Sequence, residues 1–225
     1  RIFGNIKLDW EINEHFTAFL RAAETNSVEK RETKIPYSYS RDLKGGYHLQ
    51  DLQNREDNID FLFTYNSLDK IPDFNYSVSA GGNYMYQYNT DFYAGSRRNA
   101  GLTVPGVYRL SNIPSAGLDV GNGEYQKAIY SIYALANLGY KNQIFLDLTA
   151  RNDWSSTLPI ENRSYFYPSA SFSWVANETL KLPSYISLLK LRAGVAQVGN
   201  DTNPYQINPI LSTGRWGDLI YMQLP

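Results

Sequence analysis

Three carboxylates, Asp147, Asp153 and Glu161, fall close together in the sequence. A pair of them could act as general acid and as nucleophile or base in glycoside hydrolysis. Their spacing carries no diagnostic of that chemistry, and charges of this kind are more often solvated loop residues. A second cluster, DVGNGE, sets Asp119, Asn122 and Glu124 in a Gly-rich stretch resembling half of a calcium loop. The twelve-residue spacing of a calcium-binding helix–loop–helix is missing, so a plain turn is the better reading. His15 and His48 have no partner at ligand spacing. The glycines of SAGGN and ALANLGY follow strand-like runs and precede no helix, so they make no phosphate cradle. Tyr88, Phe92, Tyr93, Tyr108 and Trp154 lie in stretches that read as loops, where aromatics can stack on a ligand or pack internally. No residue group here points to a resident cofactor.

The elements that must hold these residues are strands. The 225 residues suit one large domain or two small ones. A net charge of −1 gives no electrostatic case for nucleic acid. Cysteine is absent, which removes disulfides and thiolate metal sites. Tyrosine is abundant at 19 residues, and Tyr favours strands and membrane boundaries. No apolar run reaches the roughly 18 residues that a spanning helix needs, which leaves a membrane barrel open because barrel strands are only half apolar.

Most of the sequence alternates with period two. Ile6, Leu8, Trp10 and Ile12 interleave with Asn5, Lys7, Asp9 and Glu11; Phe16, Ala18, Leu20 and Ala22 share a face, as do Ile59, Phe61, Phe63 and Tyr65. In residues 74–88 the dyad repeat holds for about 50 Å of strand at roughly 3.3 Å per residue, far beyond the usual 5–6 residues. Residues 130–140 carry Tyr130 and Tyr140 around aliphatics; ten residues of rise, tilted, cover roughly the 25 Å apolar band of an outer-membrane barrel. Ile144, Leu146, Leu148 and Ala150 oppose Asp147, Thr149 and Arg151; Ala170, Phe172 and Trp174 alternate with serines; Leu189, Leu191, Ala193 and Val195 oppose Lys190, Arg192 and Gly194. The connections alternate in length: 13–14, 67–73 and 141–142 are short, 177–187 is medium with room for a helical turn, and 24–56, 89–126, 152–164 and 199–217 are long. Barrels in outer membranes have short periplasmic turns and long outer loops.

Four passages carry a resemblance: DFLFTYN (60–66), AGLTVPGVYRLSN (100–112), LGYKNQIFLDLTARNDWSSTLPIENRSYFYPSASFSW (138–174) and LKLRAGVAQVGND (189–201). Together they resemble the SusC/RagA family of TonB-linked outer-membrane proteins, over most of the chain. The resemblance implies an antiparallel transmembrane β-barrel of about 22 strands. It implies TonB-dependent import of large nutrients, glycans or peptides, with a SusD-like surface lipoprotein as partner, at the outer membrane of a Gram-negative bacterium. It implies a transporter, not an enzyme. Residues 1–225 read as an internal segment of the barrel domain, without signal peptide, plug domain or closing strands, so the TonB complex would act through parts outside it.

The expected orientation follows. Tyr130, Ile132, Ala134, Leu138, Tyr140, Leu146, Leu148, Phe172 and Trp174 face lipid. Lys7, Asp9, Asp147, Arg151, Lys190 and Arg192 face the lumen. Tyr88, Phe92, Tyr93, Tyr108 and Trp154 stand in outer loops, where an oligosaccharide or peptide substrate, or the lipoprotein, could meet them. Two other classes are weighed: a soluble all-β carbohydrate-binding module, which needs a second packed sheet, and a β-rich hydrolase, which needs two convergent carboxylates.

Overall fold

The computed structural model describes residues 1–67, 71–180, 183, 185–207, 212–216 and 219–223. Eight strands form one sheet in sequence order: β1 (Ile2–Glu11), β2 (Phe16–Ile35), β3 (Gly46–Asn66), β4 (Phe74–Ser96), β5 (Leu118–Tyr140), β6 (Ile144–Ser155), β7 (Ser164–Val175) and β8 (Lys190–Ala196). The β5–β6, β6–β7 and β7–β8 ladders are antiparallel. A helical turn, α1 (Ala176–Thr179), lies in the medium connection. A separate two-stranded sheet pairs β9 (Ser212–Trp216) with β10 (Leu219–Gln223).

The short turns have local causes. Asn13 Oδ1 accepts from the backbone N–H groups of His15 (2.9 Å) and Phe16 (3.0 Å), closing the β1–β2 turn as Asx residues do. Lys141 and Asn142 both take positive φ (53° and 55°), and Gln143 N–H donates to the Tyr140 carbonyl at 2.9 Å, closing a tight turn within the three residues between β5 and β6.

The long connections are shorter than the sequence suggests. The stretch 24–56 is mainly strand, because β2 runs to Ile35 and β3 starts at Gly46. Likewise β4 extends to Ser96, β5 begins at Leu118, β6 reaches Ser155 and β7 starts at Ser164. The reading of 199–217 as loop also fails at 212–216, which form β9. Periodicity missed these parts because polar residues occupy both faces there. Backbone pairing persists while the alternation of hydropathy vanishes. The 23 residues of β4 and of β5 correspond to about 75 Å of strand each.

The chain divides into two compact units. The first comprises Arg1–Asn5, Ala23–Asp57 and Tyr86–Gln126. It has a small core of Tyr47, Leu102 and Ile113, with Leu49, Tyr108, Leu110 and Leu118 packed against it. Residues 97–117 build that core through their own turns. Val107 N–H donates to the Val104 carbonyl across Pro105-Gly106, with Gly106 at φ 78°, the arrangement of a type II turn. The Asn112 side chain then bonds Val104 N–H (3.0 Å) and the carbonyls of Val104 and Val107 (2.8 Å each).

The second unit comprises Ile6–Ala22, Asn58–Met85 and Lys127–Pro225. One side of its strands is apolar and open. Ile6, Leu8 and Trp10 are 65–74% exposed, Phe63 is 55% and Ile132 57%. Many of their alternate neighbours are polar, among them Lys7 and Asp9, which form an ion pair, and Thr64, which bonds Ser79. Among the described residues no second sheet packs on the apolar side, so a β-sandwich core is not what buries it.

Candidate functional site

The register decides which side chains share a face. In the β5–β6 ladder Tyr130 lies opposite Trp154, Ala134 opposite Ala150, Leu138 opposite Leu146 and Tyr140 opposite Ile144. The β6–β7 ladder continues the rows with Leu146 opposite Phe172, Leu148 opposite Ala170 and Ile144 opposite Trp174. All nine residues expected to face lipid therefore sit on one side of β5–β7. Aromatics mark both ends of that side. Tyr84 packs on Tyr130 (4.9 Å between centroids) at one end, and Phe16–Tyr65 (5.0 Å), Tyr65–Tyr76 (5.9 Å) and Phe74–Tyr76 (5.8 Å) form a row at the other.

The opposite side is a polar mat. Asp147 accepts from Asn137 Nδ2 at 2.7 Å, and Ser77 Oγ donates to Asn137 Oδ1 at 3.2 Å. Thr149 and Ser169 share a hydroxyl bond, as do Thr64 and Ser79. Arg151 pairs with Asp153 (2.6 Å) and donates to Ser131 (2.9 Å). Arg21 pairs with Asp60 at 3.0 Å, and the Asp60 side chain is only 6% exposed. Lys7 pairs with Asp9 and lies over the Phe19 ring. Lys190 lies over Phe145, and Arg192 lies opposite Ser173. The six residues expected to face the lumen thus all fall on strand positions of this polar side.

At its centre Tyr133 reaches across β4 and its hydroxyl donates to the Phe61 carbonyl at 3.4 Å. Gly81 makes the crossing feasible: a Cβ there would stand 2.3 Å from the Phe61 carbonyl oxygen and 3.0 Å from the Tyr133 ring. Sequence reasoning singled out neither Asp60 nor Tyr133. The one available signal was the even position of Asp60 within an odd-numbered apolar run.

A second feature joins two of the passages that carry the resemblance. Asp201, from QVGND, accepts from Lys127 Nζ at 2.7 Å and from Ser155 Oγ at 2.6 Å, and Thr157 Oγ1 stands 3.4 Å away. The Asp201 and Lys127 side chains are 8% and 18% exposed, and Ser155 and Thr157 are buried. Burial alone would push the Asp201 carboxyl up. The hydrogen bonds from Lys127 and Ser155, with the lysine charge, outweigh it and hold the carboxyl below its ordinary value.

The remaining sequence candidates come apart. DVGNGE is no turn: residues 119–124 belong to β5, where alternation puts Asp119 on one side and Asn122 and Glu124 on the other. Asp119 faces Arg97 at 3.8 Å, and Glu124 accepts from Gln126 at 2.7 Å. Among the described residues no three His, Asp or Glu side chains converge on a point that could hold a metal. Asp147 and Asp153 are six residues apart on one strand, about 20 Å at 3.3 Å each, too far for an acid–base pair. Glu161 sits in an exposed 3-10 turn.

The five loop aromatics also divide. Tyr88, Phe92 and Tyr93 lie in β4, not in a loop, and Tyr93 covers Gly121 on the side opposite Phe92. Tyr108 does lie in a loop, packed against Tyr47. Trp154 is a β6 residue beside Tyr130, on the apolar side. Strand pairing extends past the apolar stretch, and this moves four of the five out of the loops.

No family model matches the sequence. The TonB-dependent receptor P3 of Formosa agariphila is 29% identical over 138 residues, covering 58% of this chain and 13% of that protein. The solved RagAB peptide transporter superposes with a TM-score of 0.79 at 16% identity, over 99% of this chain and 25% of that one. The RagAB peptide importer gives 0.76 at 17% identity in its closed-closed state and 0.76 at 16% in its open-open state, with similar coverage. The fold is that of the matching quarter of the RagAB transporter chain. The sequence similarity to a TonB-dependent receptor and the structural likeness to RagAB agree with each other over this segment. The chain spans about an eighth of the receptor's length and a quarter of the solved chains. The proteins it resembles are named a receptor, a transporter and an importer.

Proposed function

We propose that this chain forms part of the barrel domain of a TonB-dependent importer of large nutrients. The observation that carries the reading is the two-sided sheet of the second unit: exposed apolar rows between aromatic ends on one side, a cross-linked polar mat on the other. In a bilayer the apolar rows, including Ile132, Ala134 and Leu148, contact lipid. The polar side, with Lys7, Asp9, Asp147, Arg151, Lys190 and Arg192, lines the lumen. Energy coupling belongs to a plug and a TonB contact outside this segment. A SusD-like lipoprotein is the expected surface partner, and glycans or peptides are the expected cargo. The similarity to structures named a peptide transporter and a peptide importer favours peptides.

The test is genetic and physical. The protein carrying this segment should fractionate with the outer membrane and run as a heat-modifiable band. Uptake of peptides or oligosaccharides by its host should fall when it, TonB or the adjacent lipoprotein gene is deleted. A soluble, detergent-independent product would refute the reading.

A further inference from the structure

Phe92 stands 45% exposed on β4, in the first unit. A groove of about 320 Å³ runs past it, lined also by Lys30, Asp51, Gln53, Thr90 and Asn122. Side-chain contacts fix the rows. Asp91 and Tyr93 abut Gly123 and Gly121, which sets Asn122 opposite Phe92. Gln87 donates to Glu56 at 2.8 Å and Gly95 abuts His48, which sets Asp51 opposite Phe92 from the other neighbouring strand. Arg21 donates to Asp60 and Arg31 to Gln50, which sets Lys30 opposite Asp51. Lys30, Asp51, Phe92 and Asn122 thus form one row across β2–β5.

Polar side chains beside this row are paired: Glu124 accepts from Gln126 at 2.7 Å, and Arg55 pairs with Asp57 at 3.0 Å. Those of the groove are not. Among the described residues Lys30, Asp51, Gln53, Thr90 and Asn122 form no side-chain hydrogen bond or ion pair. Unused donors and acceptors therefore surround an exposed ring. Lys30 and Asp51 carry opposite charges, so a metal ion or a phosphate would meet one charge of its own sign. A neutral saccharide fits both: its hydroxyls donate and accept, and the apolar face of its ring covers Phe92.

The groove lies on the side away from the lumen. Along β4, Phe92 has the parity of Tyr84, which packs on Tyr130 of the apolar side. Eight residues of rise, tilted by about 40°, put Phe92 roughly 20 Å of height beyond Tyr84. Phospholipid headgroups add only roughly 5–8 Å to each side of the hydrocarbon, so they end well short of it. A lipid that reaches Phe92 carries a saccharide headgroup. We propose that the groove holds a sugar of the glycolipid in the surrounding outer leaflet, stacked on Phe92 and hydrogen-bonded by Lys30, Asp51 and Asn122. The assignment rests on the facing of the wall given above, and its ligand is a neighbour in the membrane, not cargo.

The experiment titrates the full-length protein, in mixed micelles, against fluorescent lipopolysaccharide from its host and follows anisotropy. Unlabelled competitors are the whole lipopolysaccharide, its free core oligosaccharide, and lipid A stripped of saccharide. Saturable binding is expected, with competition by the free oligosaccharide and at least about tenfold weaker competition by stripped lipid A. Phe92→Ala and Asp51→Asn should each weaken binding by about tenfold or more, and a retained heat-modifiable band would show that each variant is folded. Unchanged affinity in Phe92→Ala, equal competition by stripped lipid A, or no competition by the oligosaccharide would each overturn the proposal. A wild-type protein without a heat-modifiable band would count against the barrel reading, whereas oligosaccharide binding that depends on Phe92 would still mark the groove.

Discussion

Lys127→Met tests the buried junction at Asp201. The substitution keeps most of the side-chain volume and removes the ammonium 2.7 Å from a carboxylate that is 8% exposed. Breaking a buried pair from one side costs about 3–5 kcal/mol. Asp201 keeps the Ser155 hydroxyl at 2.6 Å, which reduces the loss to about 2–3 kcal/mol. Asp201→Ala should cost less, about 1–2 kcal/mol, because Lys127 at 18% exposure can turn to water. The double variant should then cost less than the sum of the two single changes by at least about 1 kcal/mol. Denaturant unfolding of the detergent-purified protein reads the global term, and limited proteolysis near 197–207 reads the local one. Additive changes, or a Lys127→Met cost under about 0.5 kcal/mol, would refute the junction as a source of stability. Its pH dependence has a definite sign. The folded carboxyl titrates below its ordinary value of 3.8, so the contribution is present above that pH and disappears as pH falls through the depressed value.

Three further outcomes are expected. Ala134→Arg, exposed midway between Tyr130 and Tyr140, should cost about 2–4 kcal/mol of membrane folding, against under about 1 kcal/mol for Ser171→Arg, which lies opposite Asp147; equal costs in vesicle refolding would reverse the facing assignment. Gly81→Val should destabilise by about 1–3 kcal/mol, because its Cβ meets the Phe61 carbonyl at 2.3 Å, whereas Tyr133→Phe should lose about 1 kcal/mol or less; unfolding titrations separate the two. Gly106→Val puts a branched side chain at φ 78° and should cost about 1–3 kcal/mol, seen as faster protease cleavage within 97–117.

Much of the wall was legible because one physical rule wrote it. Where one side of a strand is apolar and the other polar, as at 130–140 and 144–150, alternation locates the strand and the residue parity gives the side. The same rule falls silent at 24–35, 46–57 and 118–126, where both sides are polar and the sequence alone resembles loop. The alternation also fades at 89–96 and 152–155, so Phe92, Tyr93 and Trp154 do not stand out as strand residues, and Tyr88 closes the 74–88 run. The charged junctions were invisible for a different one. Lys127 and Asp201 are 74 residues apart, and Arg21 and Asp60 are 39 apart; no local pattern announces a partner at that distance.

The 97–117 segment has one more consequence. Twenty-one residues without a strand of their own would ordinarily lose much conformational freedom on meeting another molecule. This loop has already surrendered that freedom, through the Pro105-Gly106 turn, the three bonds of the Asn112 amide and the Leu102–Ile113 contact with Tyr47. It presents a finished contour, so whatever touches it is selected by fit and released without the loop refolding.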